Sequence, residues 1–394
     1  EGGGVGGFHA VGMRRGGAFD DQRGFTDALH DRGNERMDRL DRYHHLGCFG
    51  PRRRCAGGEK GGGKLVYMSF REIIAEQKKP LKEVRLAVHK SFELPQPLIA
   101  KFEQENHAKV NIIKVGGGGE LVNKLILSRA KPVADAVFGL DNTTSAKARE
   151  AGILADNQPA SAETEAPLYG ALAVDYGYVV LNYDKAWFAK NQLALPKSLD
   201  DLATPAYKDL LVVPSPATSG PGLGFLAANI HEMGEEQALA WWGKMRANGV
   251  KITPDWNAAY YTEFSQNGGA RPLVVSYATS PAAEVFFSKG KYSEPPTGNL
   301  FLQGGVFRQV EGVAVLRGAA EPELAAKLVQ YLQHGEVQKA IPETMWVYPA
   351  VKGTPLPPSF QFAEQPSFSN NPSEVDIQAH RQRWVESWLR VVEK

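Results

Sequence analysis

From Val84 onward, short β-branched runs alternate with segments of helical period, and this alternation limits the possible folds more than any other feature of the chain. Val84-Arg85-Leu86-Ala87-Val88 reads as a strand, and Pro95 to Glu105 then places Leu98, Ile99 and Phe102 on one helix face. Val110 to Val115 is the next strand, and Glu120 to Arg129 aligns Leu121, Leu125 and Ile126. Ala134 to Phe138 ends at Gly139, and Thr143 to Glu150 reads as a helix closed by Gly152. Strands and helices at this pitch predict a parallel sheet covered on both faces. Ligands of such sheets sit beyond the carboxyl ends of the strands, here near His89 to Phe92, Gly116 to Gly119 and Leu140 to Thr143.

A second α/β block follows. The run Asp175 to Tyr183 is a β segment long enough to cross between two lobes. Strands are expected at Leu210 to Val213, Leu273 to Ser276 and Phe307 to Leu316. Helices are expected at Gly222 to Met233, Glu235 to Asn248, Ala282 to Ser288 and Pro322 to His334, the last with Leu324, Leu328 and Tyr331 inward. The architecture expected is two α/β lobes around a cleft: residues 82–178 with 308–394 as one lobe, 179–307 as the other. The crossovers near Tyr178 to Leu181 and Phe307 to Val315 are the expected hinge.

Composition removes several function classes. Lys plus Arg number 45 against 44 Asp plus Glu, so there is no basic excess to neutralise nucleic-acid phosphates. No run of 18 apolar residues occurs that would make a membrane-spanning helix. The two cysteines, Cys48 and Cys55, exclude a cysteine-rich zinc site and a disulfide scaffold. Residues 1–64 hold 17 of the 41 glycines and no tryptophan, with no sustained period. Residues 1–67 are therefore expected to be a disordered tail or non-native leader. Its histidines (His9, His30, His44, His45) fit no metal-ligand spacing with those cysteines.

Within the periodic region no G-x-S-x-G, H-E-x-x-H or cysteine–histidine arrangement appears, so an enzyme is not expected and neither is a cofactor. Asp141, Asp175 and Glu311 are the carboxylates an enzyme reading would use, although their spacing does not demand it. Asp141 sits at a strand's carboxyl edge, where it either pairs with a cationic ligand or caps the helix beginning near Thr143. Ser215 to Gly222 reads as a helix entry with Pro221 in the first turn. Ser219 and Gly220 there either form a plain cap or hold a ligand phosphate. The run Gly116–Gly119 lacks the Lys-Ser/Thr ending of a P-loop.

Seven blocks together resemble the thiamine-binding periplasmic proteins of ABC transporters. They are Gly139-Leu140-Asp141-Asn142, Ala173 to Tyr178, Thr218 to Gly224, Trp256 to Tyr260, Ser276 to Ala282, Ala340-Ile341-Pro342 and Met345 to Pro349. They run in the family's order over about residues 83–394. The resemblance implies the two-lobed type II periplasmic binding protein fold, with a ligand cleft between the lobes. It also implies capture of thiamine or a thiamine phosphate, delivery to an ABC permease in the inner membrane, a periplasmic location and a monomer. Trp256, Tyr277 and Trp346 match aromatic positions lining the family's pocket, with Tyr260 beside them. Such rings suit thiamine's permanent positive charge; packing in the core is the other reading of the same residues. The chain departs from the family pattern at Gly117, where an acidic contact is expected, at Ala283, where an aromatic is expected, and at His89, where a Tyr is expected. Those departures keep related pyrimidines or thiazoles open as ligands. A cleft receptor for ferric ion is a further alternative, since Tyr260-Tyr261 provides two adjacent phenols.

Overall fold

The computed structural model describes residues 80–393, which form one compact unit. The tail expected at residues 1–67, with both cysteines, lies outside the described residues. Among the described residues, no helix is long and apolar enough to cross a membrane.

The chain begins β1 (Lys82–His89), α1 (Gln96–Asn106), β2 (Ala108–Val115), α2 (Gly118–Leu127), β3 (Ala136–Asp141) and α3 (Ser145–Glu150). A long β4 (Leu172–Asp184) leads to α4 (Lys185–Asn191), α5 (Leu199–Leu202), β5 (Leu211–Pro214), α6 (Gly220–Met233), α7 (Glu235–Ala247) and β6 (Lys251–Thr253). Then come β7 (Leu273–Tyr277), α8 (Ser280–Phe287), β8 (Thr297–Leu300), β9 (Phe307–Val315), α9 (Pro322–Tyr331), α10 (Gly335–Met345), β10 (Tyr348–Pro349) and α11 (Glu374–Val392).

All strands join one sheet in the order β2-β1-β3-β9-β4-β7-β5-β6, with β8 and β10 also paired to β4. The sheet is mixed where a parallel one was expected. β2-β1-β3 and β7-β5-β6 are parallel wings, but β9 and β4 run antiparallel to each other and to the wings they join. Helical crossovers make the wings parallel. The two long strands instead carry the chain between the wings in opposite directions.

Two main cores lie on either side of this central pair. One gathers Val84, Phe102, Phe138, Leu328 and Val347. The other gathers Leu181, Phe225, Trp241, Trp242 and Leu273. The second core also takes Ile377, Trp384 and Trp388 of α11, which packs on α7. α11 lies within residues 308–394, the stretch expected in the first lobe. The spacing of Ile377, Trp384 and Trp388 gives α11 one apolar face, and that face meets the Trp242 ring at 5.5 Å through Trp388.

β3 also runs past the expected end at Gly139. Gly139 has φ of 103° and accompanies a register shift between Phe138 and Leu140, the signature of a bulge. A Cβ there would stand 2.6 Å from the His89 ring. Only glycine accepts both the backbone angle and that neighbour. The bulge carries the strand on to Asp141 and sets it opposite Glu311.

Candidate functional site

Three carboxylates are brought together by strand register. Glu311 on β9 pairs with Asp141 on β3 and with Asp175 on β4, so three acids stand in a row across three adjacent strands. Like charges directly opposite in a sheet repel, and here Asp141 and Asp175 are buried as well. Neither oxygen of Asp175 receives an N–H or a hydroxyl from the described residues. Burial, and the Glu311 carboxylate beside it, push the Asp175 carboxyl well above the usual range. Among the described residues no Lys or Arg forms an ion pair with any of the three acids; the nearest cationic candidate is His89, with Nε2 3.5 Å from Glu311 Oε1. Asp175 and Glu311 were visible as residues, but their adjacency depends on a pairing between distant strands.

Asp141 is held by its own turn as well as by the site. Its Oδ1 accepts from the Thr143 amide at 2.9 Å and from the hydroxyls of Thr143 and Thr144. Its Oδ2 accepts from Gln309 Nε2 at 2.6 Å. These bonds close the turn ahead of α3, whose N-cap is Thr144, and the Asp141 side chain reaches no amide of the helix itself. Burial raises the Asp141 pKa, against the lowering effect of these hydrogen bonds. With both oxygens occupied, Asp141 reaches the cleft through Gln309, which accepts the Tyr277 hydroxyl at 2.6 Å.

Tyr277 begins the aromatic wall. Burial first, and then Glu311, Asp141 and Asp175, push its phenol well above the ordinary value. It therefore stays a neutral donor. Trp256 lies 6.2 Å from the Tyr277 ring and stacks on Tyr260 at 5.1 Å. Its indole N–H donates to Ser276 Oγ at 2.8 Å, which fixes the ring's orientation. Trp256 enters the π-helical turn Ala258–Glu263, a geometry that recurs at functional sites. Tyr260 is core: it is buried, and its hydroxyl donates to Glu284 Oε1. Tyr261 is exposed and lies edge-on to Tyr260. Both phenols lie near the Glu284 carboxylate. Among the described residues no group of three His, Cys, Asp or Glu side chains is placed to hold a metal ion.

Trp346 belongs to a neighbouring cluster. It stacks on Phe360 at 5.7 Å, with Phe286 at 5.1 Å and Phe287 at 5.5 Å. These two phenylalanines stand one turn beyond Ala283 on α8. Trp346 caps α10 in the left-handed region, at φ 57°, and its indole N–H is buried without a partner. A non-glycine residue held there stores roughly 1–3 kcal/mol of strain, a feature concentrated at ligand-contacting positions. The Thr279 hydroxyl donates to the Trp346 carbonyl, which ties this cap to the start of α8.

Ser219 is the N-cap of α6 but makes no side-chain cap, and Gly220 opens the helix. A Cβ on Gly220 would lie 2.7 Å from both Asp141 Oδ2 and Gln309 Nε2. The helix entry therefore packs directly against the Asp141 carboxyl. Across the cleft the two halves touch. Lys90 Nζ lies 3.4 Å from Asp255, and the Ser91 hydroxyl donates to Asn257 at 3.0 Å. A Cβ at Gly117 would stand 2.2 Å from the Thr218 carbonyl oxygen. That approach leaves no room for a side chain at Gly117 unless the Thr218 backbone shifts.

Buried acids, a neutral phenol and oriented indoles, set where two α/β cores meet on crossing strands, define a cleft-type binding protein. The profile of the bacterial extracellular solute-binding proteins matches residues 132–368, and the chain belongs to that family. It is 30% identical to the thiamine-binding periplasmic protein of Brucella melitensis over 75% of this chain and 86% of that one. It is likewise 30% identical to the thiamine-binding periplasmic protein of Escherichia coli over 76% and 89%. A solved periplasmic thiamin binding protein superposes with a TM-score of 0.70 at 28% identity, covering 80% of this chain and 97% of its own. The fold is thereby that of the type II periplasmic binding proteins.

Proposed function

We propose that this protein is the receptor of an ABC importer, that it captures thiamine or a thiamine phosphate in the periplasm, and that it delivers the ligand to a permease in the inner membrane. The observation that carries the ligand class is the row Asp141, Glu311 and Asp175, with Asp141 and Asp175 buried, no Lys or Arg ion pair among the described residues, and Tyr277 beside it. Such a row repels itself until a cation arrives. An organic cation with a flat ring satisfies both the acids and the indoles, each ring contact contributing roughly 0.5–2 kcal/mol. The names of the thiamine-binding relatives support the same ligand.

In this reading Trp256, Tyr277 and Trp346 touch the ligand, while Tyr260 and Asp141 position them. Ser219 and Gly220 shape the cleft edge. The lobes are residues 82–178 with 308–373, and 179–307 with α11, and the crossovers in β4 and β9 are the hinge. The site binds and releases without chemistry.

Tryptophan fluorescence titrated with thiamine, its mono- and diphosphate, and ferric citrate tests the proposal. Saturable quenching by the thiamine compounds is expected. A response to ferric citrate alone overturns it. In Trp256→Ala and Trp346→Ala, affinity for thiamine should fall about 2- to 30-fold, with thermal unfolding still cooperative.

A further inference from the structure

A second cavity lies beside the cleft, of about 190 Å³, walled by α2, α3, the loop entering α6, and α11. It is smaller than the roughly 300–1,000 Å³ that drug-sized ligands occupy. Two cations from different halves of the molecule line it, Lys147 on α3 and Arg381 on α11. Neither has a carboxylate in ion-pair reach among the described residues. Lys147 Nζ donates to the neutral Asn123 side chain, which also lines the cavity.

Ser219 lines it too. The residue is 3% exposed, and its side chain makes no cap hydrogen bond to the fourteen-residue α6. Orphan amides at such a helix start favour an anion. The acids nearby are Glu386 on the rim, Asp141 behind Gly220, and Glu150, which accepts from Gln378. Asp141 is already engaged by Thr143, Thr144 and Gln309. Burial lowers the pKa of both cations, and Arg381 lowers that of Lys147 further, while Asp141 and Glu150 act on Arg381 in the opposite sense without forming an ion pair with it.

We propose that this cavity binds a small tetrahedral oxyanion, such as phosphate, between Lys147 and Arg381. Lys147 is anchored to the first half through Ala148, and Arg381 to the second through Trp384. An oxyanion held by both ties the halves together and favours the closed cleft. Guanidinium and ammonium contacts to a phosphate oxygen are charge-assisted and strong. The phosphoryl group is either free in solution or carried by the cleft ligand.

The test uses the full chain and two variants, Lys147→Gln and Arg381→Gln. Melting temperature is followed while sodium phosphate replaces sodium chloride at constant ionic strength, without any thiamine compound. The expected result is a saturable rise in the native protein, with apparent phosphate affinity about tenfold weaker in each variant and unchanged melting in chloride. A parallel fluorescence titration separates the sources. If the variants weaken thiamine diphosphate but not thiamine, and free phosphate has no effect, the cavity takes the ligand's own phosphate. Phosphate and chloride giving the same melting curve in all three proteins, together with unchanged diphosphate affinity, overturns the proposal. The phosphate arm needs no response to thiamine, so failure of the thiamine reading is seen separately. Because Lys147 and Arg381 lie on different helices, misfolding of one variant leaves the other as the test.

Discussion

Asp175 shows how a single side chain can be costly to the fold and useful to the site. Its carboxyl is buried beside Glu311, and its pKa is raised well above the usual value. A raised acid destabilises the folded state once pH exceeds the unfolded carboxylate range near 3.8, and the penalty grows until pH passes the folded value. Asp175→Asn should therefore stabilise the ligand-free protein at pH 7, by about 1–3 kcal/mol. The gain should vanish as pH falls below the ordinary carboxylate range, where both proteins are neutral at this position. The same substitution should weaken binding of a cationic ligand. Urea unfolding at several pH values, paired with fluorescence titration, reads both effects. A variant that is less stable at pH 7 would show that Asp175 carries a structural bond instead. The residue types were legible in the sequence, as were Trp256, Tyr277 and Trp346. The row of acids was not, because Asp141, Asp175 and Glu311 are far apart in the chain and only register joins them.

Element boundaries followed the hydrophobic period closely where helices have one apolar face. α1 and α9 bury the residues the spacing selected, including Phe102, Leu324 and Leu328. β3 went further than its pattern, because Gly139 ends a β-branched run yet continues the strand as a bulge. α11 is the larger lesson. Its amphipathic pattern says that it packs but not upon which core, and Trp384 and Trp388 join the second one. Trp388 is 1% exposed and meets Trp242. Trp388→Ala should cost about 3–5 kcal/mol by leaving a cavity that α7 and α11 cannot collapse. The denaturant midpoint measures this. A loss below about 1 kcal/mol would mean that the helix contributes little to that core.

At the scale of the whole molecule, closure depends on backbone approaching backbone. Gly117 lies so near the Thr218 carbonyl that any side chain there forces a shift. Gly117→Asp introduces the acid that the family resemblance leads one to expect there, but the close contact argues that it props the cleft open. Overpacking of this kind costs roughly 1–3 kcal/mol. Ligand affinity should therefore fall about tenfold or more, with melting in the absence of ligand little changed. Tighter binding in this variant would show that the missing charge outweighs the contact. Ligand at a hundred times its dissociation constant should stabilise the native protein by about 2.7 kcal/mol, and calorimetry of the saturated protein checks that linkage.

By itself the sequence determined the α/β grammar and the two-lobed class, because side-chain period and local turn chemistry are written in neighbouring residues. Only the tertiary structure decided that the sheet is mixed, that α11 belongs to the second core, and that Asp141, Glu311 and Asp175 face one another. It alone set Arg381 against Lys147 across a cavity. The physical reason is the same in each case: strand register and helix docking are settled by contacts between segments far apart in the chain, and no local pattern records which distant segment a given face will meet.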